Sequence, residues 1–507
     1  MSKKTSNLIA VLLLLFMLAI AVLSMKDESA IMDEVAHIPA GYSYMTQKDM
    51  RLNPEHPPLL KDSSAIPLLF MKGINFPKDI DSWQNKVNGQ WDFGFNFLYS
   101  SGNDADKIIF WSRIPMLLIL LILGIYIFRW TKELFGSKTA LFALFLFSFS
   151  PTFIAHGRYV TTDVGAAAAF FIASYYFIKW LTNKDSTPNK GQILKHKNLI
   201  LAGLAFGLAQ SIKFSLFLLV PCFGLLVLIW IFVEWKKRKK KLSKIFFNYL
   251  LSFILILIIG YIVIVYPIYL FHTSNYPQEK QTADTDFISS NFPFKPLSKP
   301  LVWLTEKPVF RPCAQYLLGL SMVFQRATGG NTTYFLGDVT NKGWHHYFPI
   351  VYAIKTPLAL HVLTIIALLF LAWQLNVGSR VSNIKVKKYF PEIAMLTLLA
   401  IYWAFSISSN LNIGVRHVLP TLPFVYILVS GQIKRIFDYF KKAKFRRVAG
   451  LALIILSAWY AFSSLSVFPY YLSHFNELVG GAKNGYIYVT DSNLDWGQDL
   501  KRLTKWV

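Results

Sequence analysis

An all-α polytopic membrane protein is the fold class the sequence predicts, and three observations carry the prediction. Of 507 residues 54% are hydrophobic and mean hydropathy is +0.41, too apolar for a water-soluble chain of this length. The apolar residues gather in runs of the length a bilayer demands, about 17–25 residues per helix. The basic residues behind the net charge of +25 sit in short clusters between those runs. That is a topology signal, unlike the one-faced basic footprint that nucleic acid requires. Cys222 lies in an apolar run and Cys313 in a polar one, so no disulfide framework is implied.

In chain order the runs predict about eleven transmembrane helices, near 8–25, 108–128, 139–156, 163–181, 198–213, 215–234, 246–271, 350–374, 392–408, 418–433 and 447–467. Ser2-Lys3-Lys4 and the run after it lack a small-residue cleavage site, which favours a first membrane helix over a signal peptide. Threading from a cytoplasmic amino terminus puts the basic loops 129–138, 179–197, 236–244, 380–388 and 434–447 inside. It puts outside a large first loop, 26–107, a second, 272–349, and a short tail, 472–507, around a transmembrane domain of residues 1–471. The expected location is a bacterial-type inner membrane, with the active face extracytoplasmic. The cluster Lys236 to Lys241 reads as a topology anchor that also suits anionic lipid.

The first loop is where chemistry is expected. Val35–Met45 and Leu59–Met71 are amphipathic enough for helices lying along the interface, the second started by Pro57-Pro58. Trp83, Trp91 and Trp111 suit an aromatic belt. Asp33 and Glu34 follow the first helix by a few residues, where a carboxylate meets both water and a lipid-borne substrate. Glu55-His56-Pro57-Pro58 fixes a charged pair against a rigid turn, because each proline restricts itself and the residue before it. On the same face, Arg158 could hold a phosphate and Asp163 could cap the fourth helix.

Asp33-Glu34, the Glu55 to Leu59 turn and the Arg158 to Asp163 segment, in this order at these helix boundaries, resemble the polyprenol-phosphate-sugar-dependent glycosyltransferases of the C-type membrane fold. The protein O-mannosyltransferases and the lipid A aminoarabinose transferases are the relatives meant. The former carry an Asp-Glu pair and a His-Pro-Pro-Leu turn, matching Asp33-Glu34 and His56 to Leu59; in the latter the turn reads Glu-Lys-Pro-Pro, which Glu55 matches and His56 does not. Gly343 to Pro349 with Lys355-Thr356-Pro357, Asn412 to Pro420, and Asp491 to Leu500 are similar to segments of the bacterial family 39-like branch. Resembling proteins often continue into a further outer segment beyond a tail like this one.

The resemblance implies transfer of a sugar from a polyprenyl-phosphate donor to a protein, lipid A or surface glycan acceptor. Asp33 would be the general base, inverting the anomeric carbon, with Glu34 or Glu55 orienting the acceptor. Glu55, His56, Lys61 and Asp163 would shape the acceptor or loop site. Cations at helix ends, Arg158, Lys355 and Arg416, would bind the donor phosphate. No cofactor is firmly implied. A divalent metal at His345, His346 and His56 is disfavoured because an adjacent pair cannot share one helix face. Asp491, Asp495 and Asp499 read as part of a capped short helix starting at Ser492, and Asn331-Thr332-Thr333 fits a glycosylation sequon. The competing reading is a transporter or lipid flippase, which would place charges and broken helices at mid-membrane rather than at the outer ends.

Overall fold

A computed structural model describes residues 1–183, 197–238, 242–378, 386–440 and 442–507. Among these, eight helices are long and apolar enough to cross a membrane: Lys3–Met25, Ala105–Phe135, Asp163–Thr182, Phe214–Trp235, Leu242–Thr273, Leu358–Asn376, Phe390–Ser408 and Ala443–Leu465. Each coincides with a predicted run, and the chain is a multi-pass membrane protein. The side chains of the Lys236–Lys241 cluster, and most of the predicted loops 179–197 and 380–388, lie outside the described residues.

The other three predicted spans, and the start of 350–374, differ for local reasons. Residues 139–156 form two helices, Ser137–Ser148 and Pro151–His156, because Pro151 starts a new helix with Ser150 as its cap. Residues 350–374 divide at Thr356-Pro357, since the residue before proline is driven out of the helical region; Thr356 has ψ 135°. Residues 198–213 make a helix of only 14 residues, Lys197–Gln210. Residues 418–433 begin as a tight helix, Val415–Thr421, that relaxes to Leu422–Tyr439.

The chain forms two compact units. The first comprises Met1–Lys26, Ile119–Gly157 and Thr332–Asp495. Helix α1 (Lys3–Met25) packs there on Ser137–Ser148, and Gly124 admits Leu14 and Phe147 where a Cβ would collide with both. Outside its spans this unit has a core of Phe335, Tyr347, Phe348, Val351, Val418, Phe475 and Val489. A two-stranded ribbon, Thr333–Phe335 with Asp338–Thr340, joins that core through a bridge from Phe335 to Val489.

The second unit comprises Asp27–Leu118, Arg158–Asn331 and Trp496–Val507. Its membrane part rests on small residues: Gly203 and Gly207, one turn apart, face Ile259 and Gly260, and a Cβ on Gly207 would lie 2.5 Å from the Gly260 carbonyl. Without water to drive helices together, this close backbone approach is what holds them. Helices α2 (Met32–Gln47) and α3 (Leu59–Ala65) are the two expected in the first loop. Both are more buried than an interfacial helix would be, and the second turns into a tight helix at Ile66 because Pro67 follows. Pro39 removes the hydrogen bond that Val35 would accept, and Gly94 closes on that freed carbonyl, where no side chain would fit. Trp83 is not part of a belt: it is buried, with the Arg51 guanidinium 4.2 Å above its ring.

Candidate functional site

Three first-half motifs meet in the second unit, and the junctions are hydrogen bonds. Val160 holds two of them together: its N–H donates to Glu34 Oε1 at 3.0 Å, and its carbonyl lies 2.9 Å from His37 Nδ1. His37 is in edge contact with His56, ring centroids 5.0 Å apart, which brings the Glu55-His56 turn to the same place. Asp33 and His37 stand one helical turn apart on α2, and the Asp33 charge bears on His37.

The paired carboxylates turn out to be unlike. Glu34 is wholly buried and saturated: Arg113 grips it in a two-toothed contact at 2.8 and 2.7 Å, and the N–H groups of Ile31 and Val160 donate at 3.0 Å each. Its reach back to Ile31 also caps α2. Asp33, its neighbour, is only partly buried. Arg113 also approaches Glu28 at 3.4 Å, and Glu28 Oε1 accepts from Arg158 at 2.6 Å and from the Tyr159 hydroxyl at 3.1 Å. Arg158 is therefore committed to a buried ion pair with Glu28 rather than displayed to a phosphate. Asp163 is the first residue of its helix, Thr162 being the cap residue, and it pairs with Lys213 at 2.6 Å instead of capping.

The turn is fixed from beneath. Lys61 is buried, and its Nζ lies within 3.0 Å of the Tyr44 hydroxyl, the Asn53 carbonyl and side chain, and the His56 carbonyl, four acceptors for its N–H groups. Desolvation pushes it down to about 7 against the opposing pull of Glu55 and Asp62. Asn53 sits in the left-handed region at φ 50°, and its side chain meets Gln90; Gln90 and Asn88 both donate to the Glu55 carboxylate. His56 has its Nδ1 enclosed with no hydrogen-bond partner among the described residues. Burial first, and then the charges of His37, Lys61, Arg326 and Lys213, hold it well below the ordinary histidine range. His37 is lowered too, chiefly by burial.

The three second-half motifs meet in the first unit, at Asn493. Its carbonyl accepts from Lys355 Nζ at 2.6 Å, its Oδ1 from the Val415 N–H at 2.9 Å, and its Nδ2 donates to the Tyr347 hydroxyl at 3.2 Å. Ser492 donates to the Ile413 carbonyl at 2.6 Å, so it does not cap a helix; the short helix comes later, Leu500–Trp506. Gly414, at φ 128°, leaves room for Ser492 Oγ, which a Cβ would strike at 2.5 Å. Lys355 is buried with no carboxylate against it among the described residues, and desolvation drops it well below the lysine range. Lys355 Nζ donates to the Leu472 and Asn493 carbonyls at 2.7 and 2.6 Å, so it is turned to backbone in this fold. Arg416, buried in this same unit, bears electrostatically on Tyr347. His345 meets the Ile407 carbonyl and His346 the Phe335 ring; among the described residues no three His, Cys, Asp or Glu side chains converge as metal ligands.

Glu28, Arg113, Tyr159, Asn53, Asn88, Gln90 and Lys213 were not expected from the sequence. Glu28, Arg113 and Lys213 carried a signal, as charges within or beside apolar runs.

A family model described as dolichyl-phosphate-mannose-protein mannosyltransferase matches residues 105–264. The S. cerevisiae protein O-mannosyltransferase Pmt1-Pmt2 complex bound to the sugar donor is similar in structure, with TM-score 0.64 over 92% of this chain and 90% of that one, at 12% identity. The chain shares the fold of that membrane mannosyltransferase. The oligosaccharyltransferase AglB from Archaeoglobus fulgidus, in complex with an inhibitory peptide and a dolichol-phosphate, is similar at TM-score 0.54 and 13% identity over 92% of this chain and 56% of that one. For ArnT from Cupriavidus metallidurans bound to undecaprenyl phosphate the TM-score is 0.49 at 12% identity, over 91% of this chain and 70% of that one. No curated protein sequence matches.

Proposed function

We propose that the chain transfers a sugar from a polyprenyl-phosphate donor to a protein, lipid A or surface glycan acceptor, with Asp33 as the general base. The observation behind this reading is the division of the Asp33-Glu34 pair. Glu34 has every strong acceptor position filled, whereas Asp33 is partly exposed one turn from His37. A base must reach the proton it removes, so a saturated buried carboxylate is excluded and its half-exposed neighbour qualifies. Deprotonating an acceptor hydroxyl as the phosphate leaves from the opposite face inverts the anomeric carbon.

The cations for the leaving phosphate are then Lys213 and Arg326, both of which bear on His56 and neither of which is as enclosed as Arg158 or Lys355. Glu55 and His56 form the acceptor-side turn, with Lys61 beneath them as its fastening. The test is purified chain in proteoliposomes with a radiolabelled polyprenyl-phosphate sugar and membrane acceptors. Label should leave the lipid with the native chain, and Arg326→Ala should raise KM for the donor several-fold with little change in kcat. Unchanged KM would remove Arg326 from the donor site, and no transfer by the native chain with any such donor would sink the reading.

A further inference from the structure

Residues 291–312 of the second loop connect helices Gln278–Ser290 and Arg311–Gly329 and carry an unusual surface. Phe294, Leu297, Trp303, Val309 and Phe310 are all more than two-fifths exposed, in a stretch of about twenty residues outside every membrane span. A water-facing loop rarely shows so many large apolar side chains together. The rings are ordered against one another, Trp303 stacking on Phe310 at 6.2 Å. Exposed lysines alternate with them: Lys295, Lys299 and Lys307, the last 5.8 Å from the centre of the Trp303 ring.

The depth of this segment is fixed by a separate contact. The Tyr266 hydroxyl, in the last two turns of the Leu242–Thr273 span, donates to the Val309 carbonyl at 3.0 Å. Tyr266 stands seven residues before the end of that helix, roughly 10 Å along its axis at 1.5 Å per residue. The whole span of 32 residues is roughly 48 Å long at that rise. It exceeds a hydrocarbon core of about 30 Å, so its last turns stand in the headgroup layer and Val309 stands there with them. Tyr316, further on, reaches Tyr261 and Tyr269 on the same span, which brings the Arg311–Gly329 helix to the bilayer as well.

We propose that residues 291–312 dock into the membrane surface, with the apolar side chains entering the headgroup and upper acyl region and Lys295, Lys299 and Lys307 binding the phosphates of anionic phospholipid. The composition fits: aromatic rings favour that layer, and lysine stems lie along apolar surface while the ammonium meets phosphate. The anchor matters for the loop it holds. On its other side the Arg311–Gly329 helix supports the 50–54 strand of chain, Gln315 donating to the Met50 carbonyl and Gly319 lying against the Pro54 carbonyl, where a Cβ would stand at 2.2 Å. The proposal stands on the membrane fold alone and does not depend on Asp33 being a base.

The test uses the full chain in vesicles, in a Cys222→Ala, Cys313→Ala background, with single cysteines at Phe294→Cys, Phe310→Cys and Glu279→Cys carrying a small fluorophore. Glu279 is exposed on the Gln278–Ser290 helix, outside 291–312, so it serves as the water-facing control. A lipid quencher near the headgroups should dim the labels at 294 and 310 several-fold more than the one at 279, and aqueous iodide several-fold less. Iodide reaching all three equally would overturn the proposal, as would protection of 294 and 310 from both quenchers, which would mean that a second copy or another protein covers them. Adding phosphatidylglycerol to phosphatidylcholine vesicles should raise lipid quenching at 310. The combined Lys295→Gln, Lys299→Gln, Lys307→Gln variant should lose that rise; keeping it would overturn the assignment to anionic headgroups.

Discussion

The 27–61 segment and the node at Asn493 bury polar groups in opposite ways. The first is ionic: Glu28 and Glu34 are wholly buried among Arg113, Arg158 and Tyr159. The second is built from amides and carbonyls around Lys355, with Asn493 and Asn476 each bridging separate stretches of backbone. Buried charge is costly unless every partner is in place, whereas amide bridges stabilise without a large field. The difference teaches where chemistry can reside. An ionic frame holds the partly exposed Asp33 and the histidines beside it in a strong field; an amide node fixes the backbone and encloses its lysine among carbonyls.

Breaking the ionic frame should have the largest effect. Arg113→Met leaves Glu34 without its two-toothed partner and Glu28 weakened, and should cost about 3–5 kcal/mol of stability, read by thermal unfolding in detergent. Arg113→Lys should recover only part of this, because an ammonium cannot reproduce the paired contact. The amide node should yield less. Asn493→Ala strips an acceptor from the Val415 N–H and a donor from Tyr347, for about 1–3 kcal/mol in the same measurement.

The smallest effect is on pH dependence, and it reads the first region alone, in two pH ranges of the same sign. His37 and His56 are lowered in the fold, so below about pH 6.5 the unfolded chain binds protons that the folded chain refuses. Stability must then fall as pH drops below that value. Lys61, at about 7, acts in the same direction higher up: the unfolded lysine holds its proton where the folded one has lost it, so stability rises from pH 7 towards the ordinary lysine range. Lys61→Met should flatten the upper slope and His56→Asn should soften the lower one, both seen in melting temperature against pH.

The fold was largely legible because membrane spans are long, apolar and punctuated by charge, a signal that needs no tertiary knowledge. It failed where proline or length intervened, at Pro151, at Thr356-Pro357 and in the short Lys197–Gln210 helix. The motifs were legible as groups, and each half's three did come together. Roles within them were less so. The sequence sets Asp33 and Glu34 side by side, and only the placement of Arg113, 79 residues away from Glu34, shows that one is saturated and caps its helix while the other is partly exposed. The surroundings of the cations were hidden for the same reason, since Arg158 and Lys355 advertise charge in sequence but are enclosed by Glu28 and by carbonyls in the fold.

The most direct measurement compares Asp33→Asn with Glu34→Gln in the same preparation, reading sugar transfer from a labelled polyprenyl-phosphate donor and melting temperature side by side. Asp33→Asn should lose transfer by about 10²–10⁴-fold and melt like the native chain. Glu34→Gln should melt distinctly lower, because the buried Arg113 is left facing a neutral amide. Asp33→Asn that still transfers at the native rate, or that melts as low as Glu34→Gln, would contradict the account.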